Sequence, residues 1–241
     1  MSQVCLEARN ITKSFDGRSV VSNLSFSVEK GQVFGLLGHN GAGKSTTIDL
    51  LLGLKKPDSG TALMFGKEAS KHRKEVFERV GVQLQSSNYQ AAIRVDELCQ
   101  EHAALYTDAE DYHELLRKFG LSGFEKSMVM KLSGGERQKL SVVLSLLGKP
   151  DVVFLDELTT GLDVASRREV WRTLKNLKDN GLTIFLTTHY MEEAENLCDK
   201  VILLKSGRKV AEGTVAEVVK ASPYKNLEEA YLWYMDEEVE L

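Results

Sequence analysis

The chain has 241 residues, is 42% hydrophobic and 27% charged, and carries a net charge of −4 at pH 7. That is length enough for one large globular domain with a full core and no disulfide or metal staples. The balanced charge argues against a nucleic-acid binder, which carries a strong basic excess. Three cysteines, Cys5, Cys99 and Cys198, are too few and too far apart for a disulfide framework or a thiolate metal site. They suit reduced thiols in the cytosol. The first residues, MSQVCLEARN, lack the apolar core of a signal peptide. No apolar run approaches the ~20 residues of a membrane span, so a soluble cytoplasmic protein is expected.

In chain order, VCLEARNITKSF and LSFSVEKGQVFGLLG read as strands, with turn signals at Asp16-Gly17 and Lys30-Gly31. A helix is predicted within GAGKSTTIDLLLGL, ending near Gly53. TALMFG and VGVQLQ read as short strands. Helical spacing then takes over in VDELCQEHAALY and DAEDYHELLRKFG, and a third helix starts near Gly134. DVVFLDE is a strand buried on both faces. It is followed by helix VASRREVWRTLKNLKDNG, strand LTIFLTT, helix MEEAENLC, and strands KVILLKSG and RKVAEG. The tail NLEEAYLWYMDEEVEL reads as an amphipathic helix packed back on the core, with a partner-docking helix as the alternative. Strands alternating with helices predict an α/β fold with a mostly parallel sheet.

GHNGAGKST, residues Gly38, His39, Asn40, Gly41, Ala42, Gly43, Lys44, Ser45 and Thr46, fits the phosphate-loop pattern G-x-x-x-x-G-K-[ST]. It lies between an apolar strand and an amphipathic helix, the context the motif requires. Glycines let backbone N–H groups curl around phosphate oxygens, and the helix N-terminus adds partial positive charge. Lys44 would reach the β- and γ-phosphates, and Ser45 would offer a hydroxyl to Mg²⁺. In VVFLDE, Asp156 ends a strand at the edge where open α/β sheets bind ligands. One carboxylate there suits the water shell of Mg²⁺. Glu157 follows, placed to orient or deprotonate an attacking water. A solvated acidic strand end would look the same; the phosphate loop tips the balance. There is no Asn-Lys-x-Asp for guanine selection, but loop and acid alone still fit a kinase, a GTPase or an ATPase.

The stretch KLSGGERQKL decides among these. Leu132-Ser133-Gly134-Gly135-Glu136-Arg137-Gln138 resembles the signature of ATP-binding-cassette (ABC) ATPases, and it lies between the helical stretch and the Asp156 strand, as in that family. Other landmarks follow the family's order over nearly the whole chain. Gln85 resembles the Q-loop glutamine, a better match than Gln83. ELTTGLD, up to Asp163, resembles the D-loop, His189 the switch histidine, and Phe15 the aromatic residue that stacks on adenine. The residues themselves leave plainer readings open: Phe15 as core, His189 as a core histidine, and Ser133 with Glu136 as an ordinary helix capping box. The last does not account for the glycine pair.

The resemblance implies an ABC-type P-loop NTPase with an N-terminal antiparallel β subdomain and an inserted helical lobe. It is a single domain over 1–241, with its core in 1–87 and 148–241 and the lobe in 88–147. It implies ATP and Mg²⁺ as ligands, the metal held by Ser45, Gln85 and Asp156. Hydrolysis falls to Glu157, His189 and Gln85. Two such subunits, here two copies, pair head to tail. Ser133, Gly134, Gly135, Glu136 and Asp163 of one then meet the nucleotide of the other. The chain resembles most the ATPases of bacterial drug, antibiotic or polysaccharide exporters. That implies separate membrane permease subunits and a place at the cytoplasmic face of the membrane. A soluble ABC ATPase without transport, as in metallocluster assembly, is the alternative. One departure is Leu158, where the family usually has proline. Proline would stiffen the D-loop, and leucine is expected to loosen it.

Overall fold

A computed structural model describes residues 3–83, 89–90 and 92–236. The chain opens with β1 (Val4–Phe15) and β2 (Arg18–Glu29), an antiparallel pair joined by a tight turn at Asp16 and Gly17. A second turn at Lys30 and Gly31 sends β3 (Val33–Leu37) into a different sheet, and α1 (Lys44–Leu51) follows it. β4 (Ser59–Met64) returns to the free edge of β1, which completes a three-stranded antiparallel sheet of order β2-β1-β4. Next come α2 (Arg73–Phe77) and β5 (Val80–Gln83). A helical stretch comprises α3 (Val95–Ala103), α4 (Tyr112–Lys118), a 3-10 turn at Val129–Lys131 and α5 (Gly134–Leu146). The chain then alternates through β6 (Val152–Asp156), α6 (Val164–Asp179), β7 (Thr183–Thr188), α7 (Met191–Leu197), β8 (Lys200–Lys205) and β9 (Arg208–Gly213). It closes with α8 (Val215–Lys220) and α9 (Leu227–Tyr234).

The second sheet has the order β5-β6-β7-β3-β8-β9, parallel throughout except for β9. Every residue of β3, β6 and β7 is buried. This is why these strands read as unbroken apolar runs and not as alternations: structure covers both faces. On one face lies the antiparallel sheet. Phe26 of β2 stacks on Phe34 of β3 at 5.3 Å between ring centres. Phe185 of β7 lies 5.7 Å from Phe34 and 5.3 Å from Phe154 of β6. On the other face Leu140, Val143 and Leu147 cover Val153, Leu155 and Leu186. A third, smaller cluster joins Leu203 of β8 to Ala194, Val218, Leu227 and Met235.

The tail helix packs where its pattern predicts. Leu227 and Ala230 are buried against that cluster, while Trp233 faces out. Two helices have no counterpart in the sequence reading. α2 is a single short turn. α8 did carry a signal: the Thr214 hydroxyl accepts from the Glu217 N–H, and the Glu217 carboxylate accepts from the Thr214 N–H, a capping box at its usual spacing. VGVQLQ is a strand as far as Gln83, and Gln85 lies outside the described residues. Phe185 contacts three other rings and is fully buried. Phe185→Ala should therefore lower unfolding stability by about 3–5 kcal/mol in urea titration, with Trp233→Ala within ~0.5 kcal/mol of wild type.

Candidate functional site

The site is built at the C-terminal ends of β3, β6 and β7. Parallel pairing sets Leu37 beside Thr188, and Asp156 beside Thr187. The three segments that leave these strands therefore emerge together: the loop Gly38–Gly43, the turn from Glu157, and the turn with His189. The loop ends at Gly43, with φ 104°, and α1 begins at Lys44. A side chain at Gly43 would meet the Val20 carbonyl oxygen at 2.5 Å, so both backbone conformation and space require glycine. The Lys44 side chain curls back inside the loop. Its Nζ donates to the carbonyls of Gly38 at 2.8 Å and His39 at 3.2 Å. Ala42 is buried under the loop, and its carbonyl accepts from the Gly207 N–H in the β8–β9 turn. His39 is exposed, with its Nδ1 donating to the Asn40 carbonyl at 2.7 Å.

The acidic side comes from β6. Asp156 is buried and accepts from Ser45 Oγ at 3.1 Å through one oxygen and from the Thr187 hydroxyl through the other. Glu157 has φ 51°, a conformation non-glycine residues take rarely and at a cost of about 1–3 kcal/mol. Its N–H is held by the Thr187 carbonyl at 3.1 Å. The turn brings the carboxylate back over the loop, where Oε1 lies 3.3 Å from Lys44 Nζ and 3.5 Å from His189 Nδ1. Lys44 and Glu157 are both nearly sealed from water, so each offsets the desolvation cost of the other's charge. Val20, Asn40, Gly41, Gly43, Lys44, Ser45, Thr46 and Glu157 line a cleft of about 340 Å³, a size usual for small-ligand sites. Val20 and Thr187 were not expected from sequence; they arrive from distant strands without any local motif.

The remaining candidates stand elsewhere. Phe15 does not line the cleft. It is a half-exposed ring at the end of the first hairpin, with Lys13 and Lys55 ammonium groups 5.4 and 5.3 Å from its centre. Ser133 caps α5: its Oγ accepts from the Glu136 N–H at 3.2 Å, and Glu136 Oε2 accepts from the Ser133 N–H at 2.7 Å. The capping box is thus real. The glycine pair serves two purposes. Gly134 faces open space, whereas a Cβ on Gly135 would meet Leu162 Cδ2 at 2.9 Å. Asp163 caps α6, accepting from the Ser166 N–H at 3.0 Å. That bond holds its carboxyl below the usual range. None of Ser133, Gly134, Gly135, Glu136 and Asp163 lines the cleft. Leu158 is 2% exposed in the apolar cluster shared with α5 and α6, so packing supplies the anchoring that a proline ring would give. The loosening expected from sequence is opposed by that burial.

The donor set suits a hard cation completed by a ligand's own oxygens. Ser45 Oγ and the Asp156 carboxylate lie within 3.1 Å of each other at the loop's foot. No group of three His, Cys, Asp or Glu among the described residues could hold a metal by itself. One hydroxyl and one carboxylate, with phosphate oxygens and water making up the rest, is how Mg²⁺ is commonly bound.

Comparison with known proteins fits this cleft. The ABC transporter family model matches residues 21–160. A second model, described as an AAA domain of a putative AbiEii toxin, matches 129–193. The Nod factor export ATP-binding protein I of Ralstonia nicotianae is 41% identical over 219 residues, which is 89% of this chain and 68% of that protein. Its counterpart in Cupriavidus metallidurans is 39% identical over 94% of this chain and 76% of that protein. Among solved structures, an ATP-binding subunit of an ABC transporter superposes with a TM-score of 0.86 at 27% identity, covering 95% of this chain and 99% of its own. A Clostridium perfringens subunit, part of an ABC transporter complex, gives 0.78 at 26% identity over 90% of each chain. A phosphate loop facing a strand-borne acid pair, in a chain so similar to these relatives, leads to one conclusion: this chain belongs to the ABC transporter family and is one of its ATPases.

Proposed function

We propose that this chain drives export through separate membrane subunits by binding ATP with Mg²⁺ in the Gly38–Thr46 cleft and hydrolysing it. The observation that carries the reading is the convergence of Lys44, Glu157 and His189 within 3.5 Å contacts over the loop. Incoming phosphates compete with Glu157 for the Lys44 ammonium. Once Lys44 turns to them, the Glu157 carboxylate is released, still held in place by its Thr187 backbone contact. It then accepts a proton from water as that water attacks the γ-phosphorus and the bond to the β-phosphate oxygen breaks. His189, 3.5 Å from the same Glu157 Oε1 that Lys44 approaches, contacts the γ-phosphate and orients the carboxylate. When bound, Mg²⁺ neutralises charge on the β- and γ-oxygens. Ser45 and Asp156 would hold it from the protein side. Phe15 supplies a ring for adenine to stack on.

The second part of the reading is a head-to-tail pair of identical chains. The capping box uses the N–H groups of Ser133 and Glu136 and does not involve those of Gly134 and Gly135. The start of α5 is solvent-exposed at Ser133 and Gly134. An oxyanion of a partner's nucleotide would meet free N–H groups and the positive end of the helix there. Leu162 packs on Gly135, and the exposed Asp163 follows it directly in the chain.

The third part concerns coupling. No helix among the described residues is long and apolar enough to cross a membrane, so the span belongs to other subunits. An open groove of about 330 Å³ lies between β5 and the helical segment 88–147, lined by Phe77, Val82, Tyr89, His102, Tyr106 and Leu144. Its mixed aromatic wall suits a short helix of a permease. The segment 88–147 is the lobe that carries this groove, set into a core of 1–87 and 148–241. Export is supported by the similarity to the Nod factor export ATP-binding proteins. The chain then works at the cytoplasmic face of the membrane.

Lys44→Ala should weaken ATP binding at least about tenfold, and Glu157→Gln should keep binding while cutting steady-state phosphate release about 100-fold. Equal turnover in Glu157→Gln and wild type would refute the role of Glu157. Gel filtration of Glu157→Gln should show an ATP-dependent shift from monomer to dimer that Ser133→Arg abolishes. A monomer with ATP bound would refute pairing of identical chains. Tyr106→Asp should sharply reduce co-purification with the permease while leaving ATP turnover of the chain alone within about twofold, because no residue of the groove lines the cleft.

A further inference from the structure

Buried polar atoms almost always find partners, and each exception asks for an explanation. Among the described residues, such exceptions include Thr159 Oγ1, Arg167 Nε, His189 Nδ1 and Glu193 Oε2. They fall in one region, where the segment after Glu157, the first turns of α6 and the turn into α7 meet. Glu193 is at its centre. It is 1% exposed, and its Oε1 accepts from Trp171 Nε1 at 3.2 Å. Burial raises the carboxyl's proton affinity above the usual range, and the Thr188 hydroxyl, the Trp171 N–H and the Thr159 hydroxyl offset part of that rise. Yet neither Oε2 nor Thr159 Oγ1 reaches hydrogen-bond geometry. Thr188 directly precedes His189, and its hydroxyl accepts from the Tyr190 N–H at 2.9 Å. Arg167 lies over the Tyr190 ring at 4.7 Å.

A buried carboxylate oxygen and a nearby buried hydroxyl, neither with a hydrogen-bond partner, are an unclosed contact. The two sit on segments that end, respectively, at His189 and at Glu157 and Asp163. We propose that Glu193 is a positioning residue for ATP hydrolysis: in the ATP-bound arrangement its carboxylate takes up the Thr159 hydroxyl and locks the Glu157–Asp163 segment to the turn that carries His189. The proposal rests on the roles given above to Glu157 and His189. It adds a residue that touches neither nucleotide nor water and acts through both of them.

Thr159→Val is the sharp test. The hydroxyl is outside hydrogen-bond geometry in this structure, so its removal should change melting little, and a purely structural role predicts unchanged turnover. The expected result is unchanged melting, a KM for ATP within twofold of wild type, and kcat lowered about tenfold, as when reacting groups are slightly misplaced. Glu193→Leu, of similar volume, should lower kcat to the same degree. Glu193→Gln, which can serve both Trp171 and Thr159, should keep at least half of it. The double variant Thr159→Val/Glu193→Leu should be no slower than the worse single variant, because both remove one contact. Turnover of Thr159→Val within twofold of wild type would overturn the proposal, and so would losses that multiply in the double variant. Glu157→Gln and His189→Ala run alongside. If they lose turnover and Thr159→Val does not, only the Glu193 contact falls. If they keep it, the site assignment falls as well.

Discussion

Everything at this site depends on the register of three parallel strands. Because β6 pairs with β7 so that Asp156 lies beside Thr187, the Thr187 hydroxyl caps one oxygen of Asp156 and its carbonyl holds the Glu157 N–H. Because β7 pairs with β3 so that Thr188 lies beside Leu37, His189 leaves the sheet next to the phosphate loop. A one-residue slip would turn each of these side chains to the other face of the sheet. The stacked phenyl rings on one face and the leucines and valines of α5 on the other make such a slip expensive. Core packing and site geometry are therefore the same constraint seen from two sides.

Onto that frame the cleft adds a second feature, the contact between Lys44 and Glu157. Both charges are nearly sealed from water, so neither is stable there alone. In the proposed function this pair is a poised arrangement: ligand phosphates would displace one partner and thereby free the other. His189, 3.5 Å from the same Glu157 oxygen, would limit where the freed carboxylate can go. Strain at the Glu157 backbone is the cost of presenting that side chain over the loop.

The glycine pair of KLSGGERQKL shows how one motif can answer two demands. Ser133 and Glu136 cap α5 as any good helix start would, and Gly135 gives way to Leu162. Gly134 alone has no neighbour to avoid. In the proposed head-to-tail pair a partner's nucleotide would meet that open residue. Leu158 follows the same logic of packing over backbone stiffness: its burial fixes a turn that would otherwise rely on a proline.

Much of this was legible from residues alone. The phosphate loop, the Asp156-Glu157 strand end and the signature are local patterns, and the fully buried strands betray themselves as unbroken apolar runs. Helix caps such as Thr214 with Glu217 were equally readable. Local patterns cannot show which distant groups meet. That Val20 walls the cleft, that Phe15 stands outside its lining, that Leu162 sits on Gly135, and that Glu193 faces Thr159 across two turns follow only from strand order and helix packing. The sequence by itself determined the chemistry, because phosphate binding and acid–base work need particular residue types at short spacing. The tertiary structure decided the partners of those residues, because contacts between segments far apart in the chain leave no local trace.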